Sequence, residues 1–191
     1  ICRKELDENI LPNGFVVTDD QDNFYTIQEC LGRGGFGISY LATQDSYWNM
    51  DDGPKTVLLK EFFSSGMEDG SERFEGQRVA MVIGDIESIR QETDLHSFLV
   101  KFIDEAETME FFSRFPGCRV RGARSIFKCS ETNTYYYVMD YYTRGTLEDE
   151  LRGTGSMCEE EFIGRVMKPI AIALDAMHNN HWLHLDIKSE N

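Results

Sequence analysis

Leu31-Gly32-Arg33-Gly34-Gly35-Phe36-Gly37-Ile38-Ser39-Tyr40-Leu41-Ala42 is the stretch on which the fold turns. Its G-x-G-x-x-G spacing is a weak signal alone and takes its meaning from its flanks. Upstream, Phe24-Tyr25-Thr26-Ile27-Gln28-Glu29-Cys30-Leu31 alternates well enough for a strand, and Ile38-Ser39-Tyr40-Leu41-Ala42-Thr43 reads as a second. A glycine-rich link between two strands is a hairpin, whereas a dinucleotide-binding fold places it between a strand and a helix.

Working outward, Asp51-Asp52-Gly53-Pro54 marks a turn, and Thr56-Val57-Leu58-Leu59-Lys60-Glu61-Phe62-Phe63 follows as a third strand, apolar on both faces but interrupted by a lysine. Burying that lysine requires a partner. Residues 64–95 are polar, with Gly66, Gly70, Gly76 and Gly84 and a short apolar run Val79–Ile83, and read as an insertion with room for a small hairpin. Phe98, Leu99, Phe102, Ile103, Ala106, Met109 and Phe112 recur at three and four, which predicts an amphipathic helix over about 96–114, ending before Pro116-Gly117. Two more strands are expected at about 123–129 and 134–140, joined by Ser130-Glu131-Thr132-Asn133. Gly145-Thr146-Leu147 opens a short helix, and a longer one over about 159–180 carries Phe162, Ile163, Val166, Ile170, Leu174 and Met177 largely on one side.

The expected architecture is therefore α+β: five antiparallel strands with one helix inserted between the third and fourth, then the start of a helical lobe. It divides into a lead-in (1–23), a sheet lobe (24–140, holding the 64–95 insertion), and a linker with an incomplete helical lobe (141–191).

A hydrophobic fraction of 41% over 191 residues is enough for a packed core. Acidic residues outnumber basic ones 34 to 19, a net charge of −15 with no Lys/Arg block, which disfavours nucleic acid and anionic membrane as partners. Cys2, Cys30, Cys118, Cys129 and Cys158 are odd in number and form no C-x-x-C pair, so reduced thiols in a cytoplasmic domain are expected. No apolar run approaches the roughly 18 residues of a membrane span. Ile1-Cys2-Arg3-Lys4 has neither an initiator Met nor a signal-peptide pattern, so both ends read as cut from a longer polypeptide.

The final stretch, His184-Leu185-Asp186-Ile187-Lys188-Ser189-Glu190-Asn191, sets an acid, a lysine and an amide at a phosphoryl-transfer spacing. An aspartate five residues before an asparagine, with a histidine two residues ahead of it, resembles the catalytic loop of protein kinases, H-R-D-L-x-x-x-N. The glycine hairpin, the third-strand lysine and the inserted helix precede it in the matching order, so that residues 24–191 resemble the protein kinase superfamily. Leu31–Ala42 is especially similar to bacterial serine/threonine protein kinases, which carry a threonine where Ser39 stands.

That resemblance implies transfer of the ATP γ-phosphate, with Mg²⁺, to a Ser or Thr hydroxyl of a protein substrate. Gly32, Gly34, Gly35 and Gly37 would let backbone N–H groups approach the phosphates, with Phe36 shielding the site at the hairpin tip. Ser39 and Leu58 would line the adenine pocket. Lys60 matches the lysine that contacts the α- and β-phosphates, and it is held in the family by a glutamate of the inserted helix. Glu105 is that glutamate: it shares the inward face with Phe98, Phe102 and Met109, while the competitor Glu107 is rotated away by two residues, roughly 200°. Met139 guards the back of the pocket, the Asp140 carbonyl and Tyr142 amide read the adenine edge, and Thr146 lies near the ribose. Asp186 would take or orient the substrate proton, Lys188 would stabilise the moving phosphoryl group, and Asn191 would bind magnesium. His184 is expected to be a packed structural residue.

Three departures from the family pattern stand out. Leu185 replaces an arginine that pairs with a phosphorylated loop in many kinases. Leu58 replaces a small alanine and Ser39 a valine, which alters the adenine pocket. The D-F-G aspartate is not within the sequence, so little activity is expected of this segment alone, and the apolar face of the 159–180 helix offers a surface for self-association. An alternative reading is a pseudokinase that serves as a scaffold, and a small-molecule kinase of the same fold is a third.

Overall fold

A computed structural model describes residues 10–34, 37–46, 53–63 and 94–189. In chain order the elements are β1 (Val16–Thr18), β2 (Asn23–Gly34), β3 (Gly37–Ser46), β4 (Lys55–Phe62), α1 (Asp94–Ser113), β5 (Ser125–Cys129), β6 (Thr134–Asp140), α2 (Leu147–Thr154), α3 (Glu159–Phe162), a π-helical stretch (Ile163–Met167) and α4 (Lys168–Asn179). They form two compact units: residues 1–106 with 123–141, and residues 107–122 with 142–191.

The first unit is built on one antiparallel sheet in the order β1-β2-β3-β4-β6-β5. Five strands were expected and six are present. The addition is β1, which pairs Val16 with Thr26 and Thr18 with Phe24. Three residues are too short to show alternation, and what holds them is a turn chemistry spread over several positions. Buried Asp19 accepts hydrogen bonds from the backbone N–H groups of Gln21 and Asn23, from Asn23 Nδ2 and from the Tyr25 hydroxyl. An aspartate that folds the chain back on its own side chain is a common turn former.

Cross-strand register assigns every side chain to a face, because directly opposed residues of an antiparallel pair share one. Ile38, Tyr40, Ala42, Val57, Leu59, Tyr136 and Val138 are fully buried on one side, with Tyr25, Ile27 and Phe127. Leu11, together with the partly buried Ile10 and Phe15, closes over them, so the described part of the lead-in, from residue 10, joins the core.

The glutamate that follows Lys60 is also buried there. Glu61 is 0% exposed and accepts hydrogen bonds from the Tyr40 hydroxyl at 2.8 Å and the Tyr136 hydroxyl at 3.1 Å. The Leu11 N–H donates to the Tyr40 hydroxyl, and Thr132 Oγ1 lies 2.9 Å from the Tyr136 hydroxyl, tying lead-in, β3, β4 and the β5–β6 turn to one point. The β4 segment is thus interrupted by two charges, not one.

On the other side of the sheet lies α1. Its Leu99, Phe102, Ile103 and Ala106 are buried, as their spacing predicts. Phe102 packs against the rings of Phe62 and Tyr137 at 5.5 and 4.9 Å. The helix stops at Ser113, ahead of Pro116 and of Gly117, which takes φ 77°.

In the second unit Phe112 is buried among Phe111, Phe115 and Trp182. The helix expected over 159–180 is present but widened in its middle, where the Lys168 N–H bonds to the Ile163 carbonyl, five residues back. Pro169 accounts for this: its ring crowds the carbonyl four residues earlier, and a π turn absorbs the clash. Met177 is buried, while Ile163 and Met167 stand half exposed. Among the described residues no helix is long and apolar enough to cross a membrane.

Candidate active site

The face of the sheet opposite Glu61 carries most of the sequence-predicted nucleotide residues of the first unit. β2 and β3 form the hairpin, with Gly32 opposite Ser39 and Gly34 opposite Gly37. Register then runs from Ser39 to Lys60 and Tyr137, and one step along from Leu41 to Leu58 and Met139. These residues are half-buried, except for Tyr137 at 1% exposure. Gly35 and Phe36, the tip of the hairpin, lie outside the described residues.

The glycines differ in what requires them. A Cβ on Gly37 would sit 2.5 Å from the Glu61 carbonyl oxygen, so packing between β3 and β4 demands glycine there. At Gly32 a Cβ would meet no heavy atom within 4 Å among the described residues, and its φ is not positive. Neither strain nor crowding explains Gly32, which leaves it free for a close approach from outside. Arg33, between them, lies over the ring of Phe63 at 4.7 Å and fixes the end of β2 to β4.

Lys60 and Glu105 meet. Lys60 Nζ lies 2.8 and 2.9 Å from the two carboxylate oxygens, a fork that holds the ammonium on the axis of the carboxyl group. β4 supplies the lysine and the middle of α1 the glutamate. Phe102, one turn earlier on the helix, locks that turn to the sheet through Phe62. The ammonium also stands 5.4 Å over the ring of Tyr137. Burial pushes the Tyr137 phenol well above its usual range, and the neighbouring Glu105 carboxylate adds to the shift by charge and hydrogen bonding. At the end of β6, Asp140 pairs with the Arg124 guanidinium, and the Arg124 N–H donates to the Val138 carbonyl, so the strand leading to Tyr141 is braced from β5.

The second unit holds the other group. Residues 182–188 form an irregular, exposed segment, tied at its end by the Glu148 N–H donating to the Ser189 carbonyl at 3.0 Å. Lys188 Nζ lies 3.0 Å from Asp186 Oδ2, and the Asp186 N–H donates to His184 Nδ1 at 3.2 Å. His184 was expected to be packed. It is exposed, its ring engaged with the backbone of its own loop. Leu185 is 87% exposed with φ 64°, a left-handed conformation that a branched aliphatic rarely takes. Asn191 lies outside the described residues. Tyr142 is exposed, at the start of this unit.

Thr146 has an occupation that the sequence reading missed. It caps α2, with its hydroxyl accepting from the Asp149 N–H while Asp149 Oδ2 accepts from the Thr146 N–H. The Thr146 backbone N–H first, and then its hydroxyl, both donating to Asp149 Oδ2, hold the Asp149 carboxyl below its ordinary range. The signal was present, since Thr-x-x-Asp ahead of a helix is a capping box.

A family model described as "protein kinase domain" matches residues 25–191. The chain belongs to the protein kinase domain family. A probable serine/threonine-protein kinase 2 of Plasmodium falciparum is 25% identical over 169 residues, covering 88% of this chain and 25% of that protein. A calcium and calcium/calmodulin-dependent serine/threonine-protein kinase of Lotus japonicus is 26% identical over 179 residues, covering 93% and 33%. The chain thus spans a quarter to a third of the length of these kinases. Among solved structures, "PpkA-294 apo form" superposes with a TM-score of 0.56 at 24% identity, covering 96% of this chain and 57% of that one, a likeness of fold. The order of glycine hairpin, strand lysine, helix glutamate and Asp186 loop accordingly sits in a kinase fold, with the antiparallel sheet and its inserted helix first and the other helices after.

Proposed function

We propose that the chain is the nucleotide-binding part of a serine/threonine protein kinase, which transfers the γ-phosphate of magnesium-bound ATP to a Ser or Thr hydroxyl of a protein substrate. The observation that carries this reading is the forked Lys60–Glu105 contact at 2.8 Å, on the open face of the sheet beside a glycine hairpin. In phosphoryl transfer there is little covalent work for a protein to do, and positioned charge supplies most of the catalysis. Lys60, oriented by Glu105, would neutralise the α- and β-phosphates, while Gly32 offers its backbone to them. Asp186 would orient the substrate hydroxyl, with Lys188 beside it to follow the charge as it moves. Magnesium would arrive with ATP, and Asn191 is its proposed ligand from this chain. The serine/threonine preference rests on Lys188 two residues after Asp186 and on the names of the relatives. A bacterial affinity rests on the Leu31–Ala42 hairpin alone.

The test is phosphate transfer by the full-length protein, set against Lys60→Met and Asp186→Asn. Activity unaltered in both would sink the assignment. A scaffold reading draws on Leu58, which stands between Leu41 and Met139 where a nucleotide base would lie. The two separate in a thermal-shift titration with ATP and magnesium, since a kinase is stabilised at millimolar nucleotide and an occluded pocket is not.

A further inference from the structure

We infer that Tyr137 is a positioning residue for Lys60: its ring forms an aromatic wall against which the ammonium rests, so that β6 and α1 together fix the lysine. The inference rests on the reading of Lys60 as the phosphate-contacting lysine and adds a member to that pair.

Register puts Tyr137 directly across from Lys60, on the same face of the sheet. The ring is 1% exposed and packed at 4.9 Å against Phe102, so it has no freedom to swing away. Lys60 Nζ lies 5.4 Å over its centroid, within the range at which a ring face attracts a cation. Glu105, by contrast, is 46% exposed at its side chain, and a carboxylate so open to water holds a lysine weakly. A flexible four-carbon stem held by one half-exposed partner would sample many positions. With a buried ring on one side and a forked carboxylate on the other, the ammonium is confined to one. The ring acts through the lysine, while the phenol hydroxyl is hydrogen-bonded to Glu105.

The experiment compares ADP and adenosine binding to the full-length protein, by calorimetry, in four forms: wild type, Tyr137→Met, Lys60→Met and the double variant. Met fills the volume without offering a π face. Tyr137→Met is expected to weaken ADP by about 3- to 10-fold, the worth of a partly desolvated cation–ring contact. Adenosine, which lacks the phosphates, should bind unchanged, and Tyr137→Phe, which keeps the ring, should retain most of the ADP affinity. In the Lys60→Met background Tyr137→Met should have no further effect. Equal weakening of ADP and adenosine, or the same loss of ADP with and without Lys60, overturns the proposal, since either is what a merely structural tyrosine would give. If Lys60→Met weakens ADP and Tyr137→Met does not, the proposal alone fails. If Lys60→Met leaves ADP binding unaltered, the reading of the site fails and takes the proposal with it. A measurement on the wild type guards against a variant that does not fold: the Lys60 ε-methylene proton resonances should be shifted upfield by the ring, and their appearance at ordinary lysine positions overturns the wall.

Discussion

Lys60 and Glu61 are neighbours on β4 and live in opposite worlds. Glu61 points into the sheet's closed face, 0% exposed, with its oxygens taken by tyrosine hydroxyls of two other strands. Lys60 points to the face on which α1 lies, where among the described residues its charged partner is Glu105 of that helix, itself half exposed. The period of two along a strand forces this division, because consecutive side chains cannot share a face. A kinase needs a charge that is held but reachable, and the same strand that offers it must not yield. The buried network on one face makes β4 rigid, and rigidity is what allows a weak, reachable ion pair on the other to be precise.

The sharpest way to break that comparison is to exchange the two sites' consequences. Glu61→Ala should destabilise the protein by about 2–4 kcal/mol, since it strands two buried hydroxyl donors and opens a void. Glu61→Gln, which keeps an acceptor, should cost less; both are read from urea unfolding midpoints. Lys60→Met should do the reverse. Stability should change by less than about 1 kcal/mol, as for other half-exposed ion pairs, while phosphate transfer falls on the order of 100-fold or more. Comparable unfolding losses for both variants would show that the faces are not distinct.

A gentler probe is alkaline titration. Burial is the main cause that raises the phenol pKa of Tyr25, Tyr136 and Tyr137 in the folded protein, and in each an acidic neighbour adds to it. A raised folded pKa means stability that is complete below the unfolded value near 10 and lost as pH climbs above it. Each such tyrosine should contribute a slope of about 1.4 kcal/mol per pH unit there. Tyr136→Phe should lessen the slope by one tyrosine's share, and an unchanged slope would mean that the hydroxyl is not buried beside Glu61.

How much of this was legible beforehand follows from distance along the chain. The Lys60–Glu105 pair could be read because the kinase resemblance implies a helix glutamate for the lone lysine of an apolar strand, and helix spacing selects Glu105 over Glu107. The Glu61 network could not. Its partners Tyr40 and Tyr136 lie 21 and 75 positions away, and a run of tyrosines reads as ordinary core until register shows which hydroxyls converge. β1 escaped for a different reason: Val16–Thr18 is too short for periodicity, and its pairing with β2 follows a turn held by the side-chain bonds of Asp19. Thr146 was assigned to a ribose although Asp149 three residues on already announced a cap. The glycines read as one phosphate-binding set, yet Gly37 answers to β4, while a side chain at Gly32 would meet nothing among the described residues.

That last difference gives the finest test. In Gly37→Ala the new Cβ would arrive 2.5 Å from the Glu61 carbonyl oxygen, a backbone atom in a paired strand, so β3 and β4 must separate. Overpacking of this kind costs about 1–3 kcal/mol, and it would fall on the strand that holds both Lys60 and Glu61. Gly32→Ala adds the same methyl on β2, where it meets nothing among the described residues, and stability should move by no more than about 0.5 kcal/mol. ADP binding should nonetheless weaken by about 1 kcal/mol, since the methyl stands where a backbone N–H would reach phosphate. Melting curves and ADP titrations on the two variants read both quantities. A Gly32→Ala protein that melts early but binds ADP normally would show that Gly32, like Gly37, answers to packing and not to phosphate.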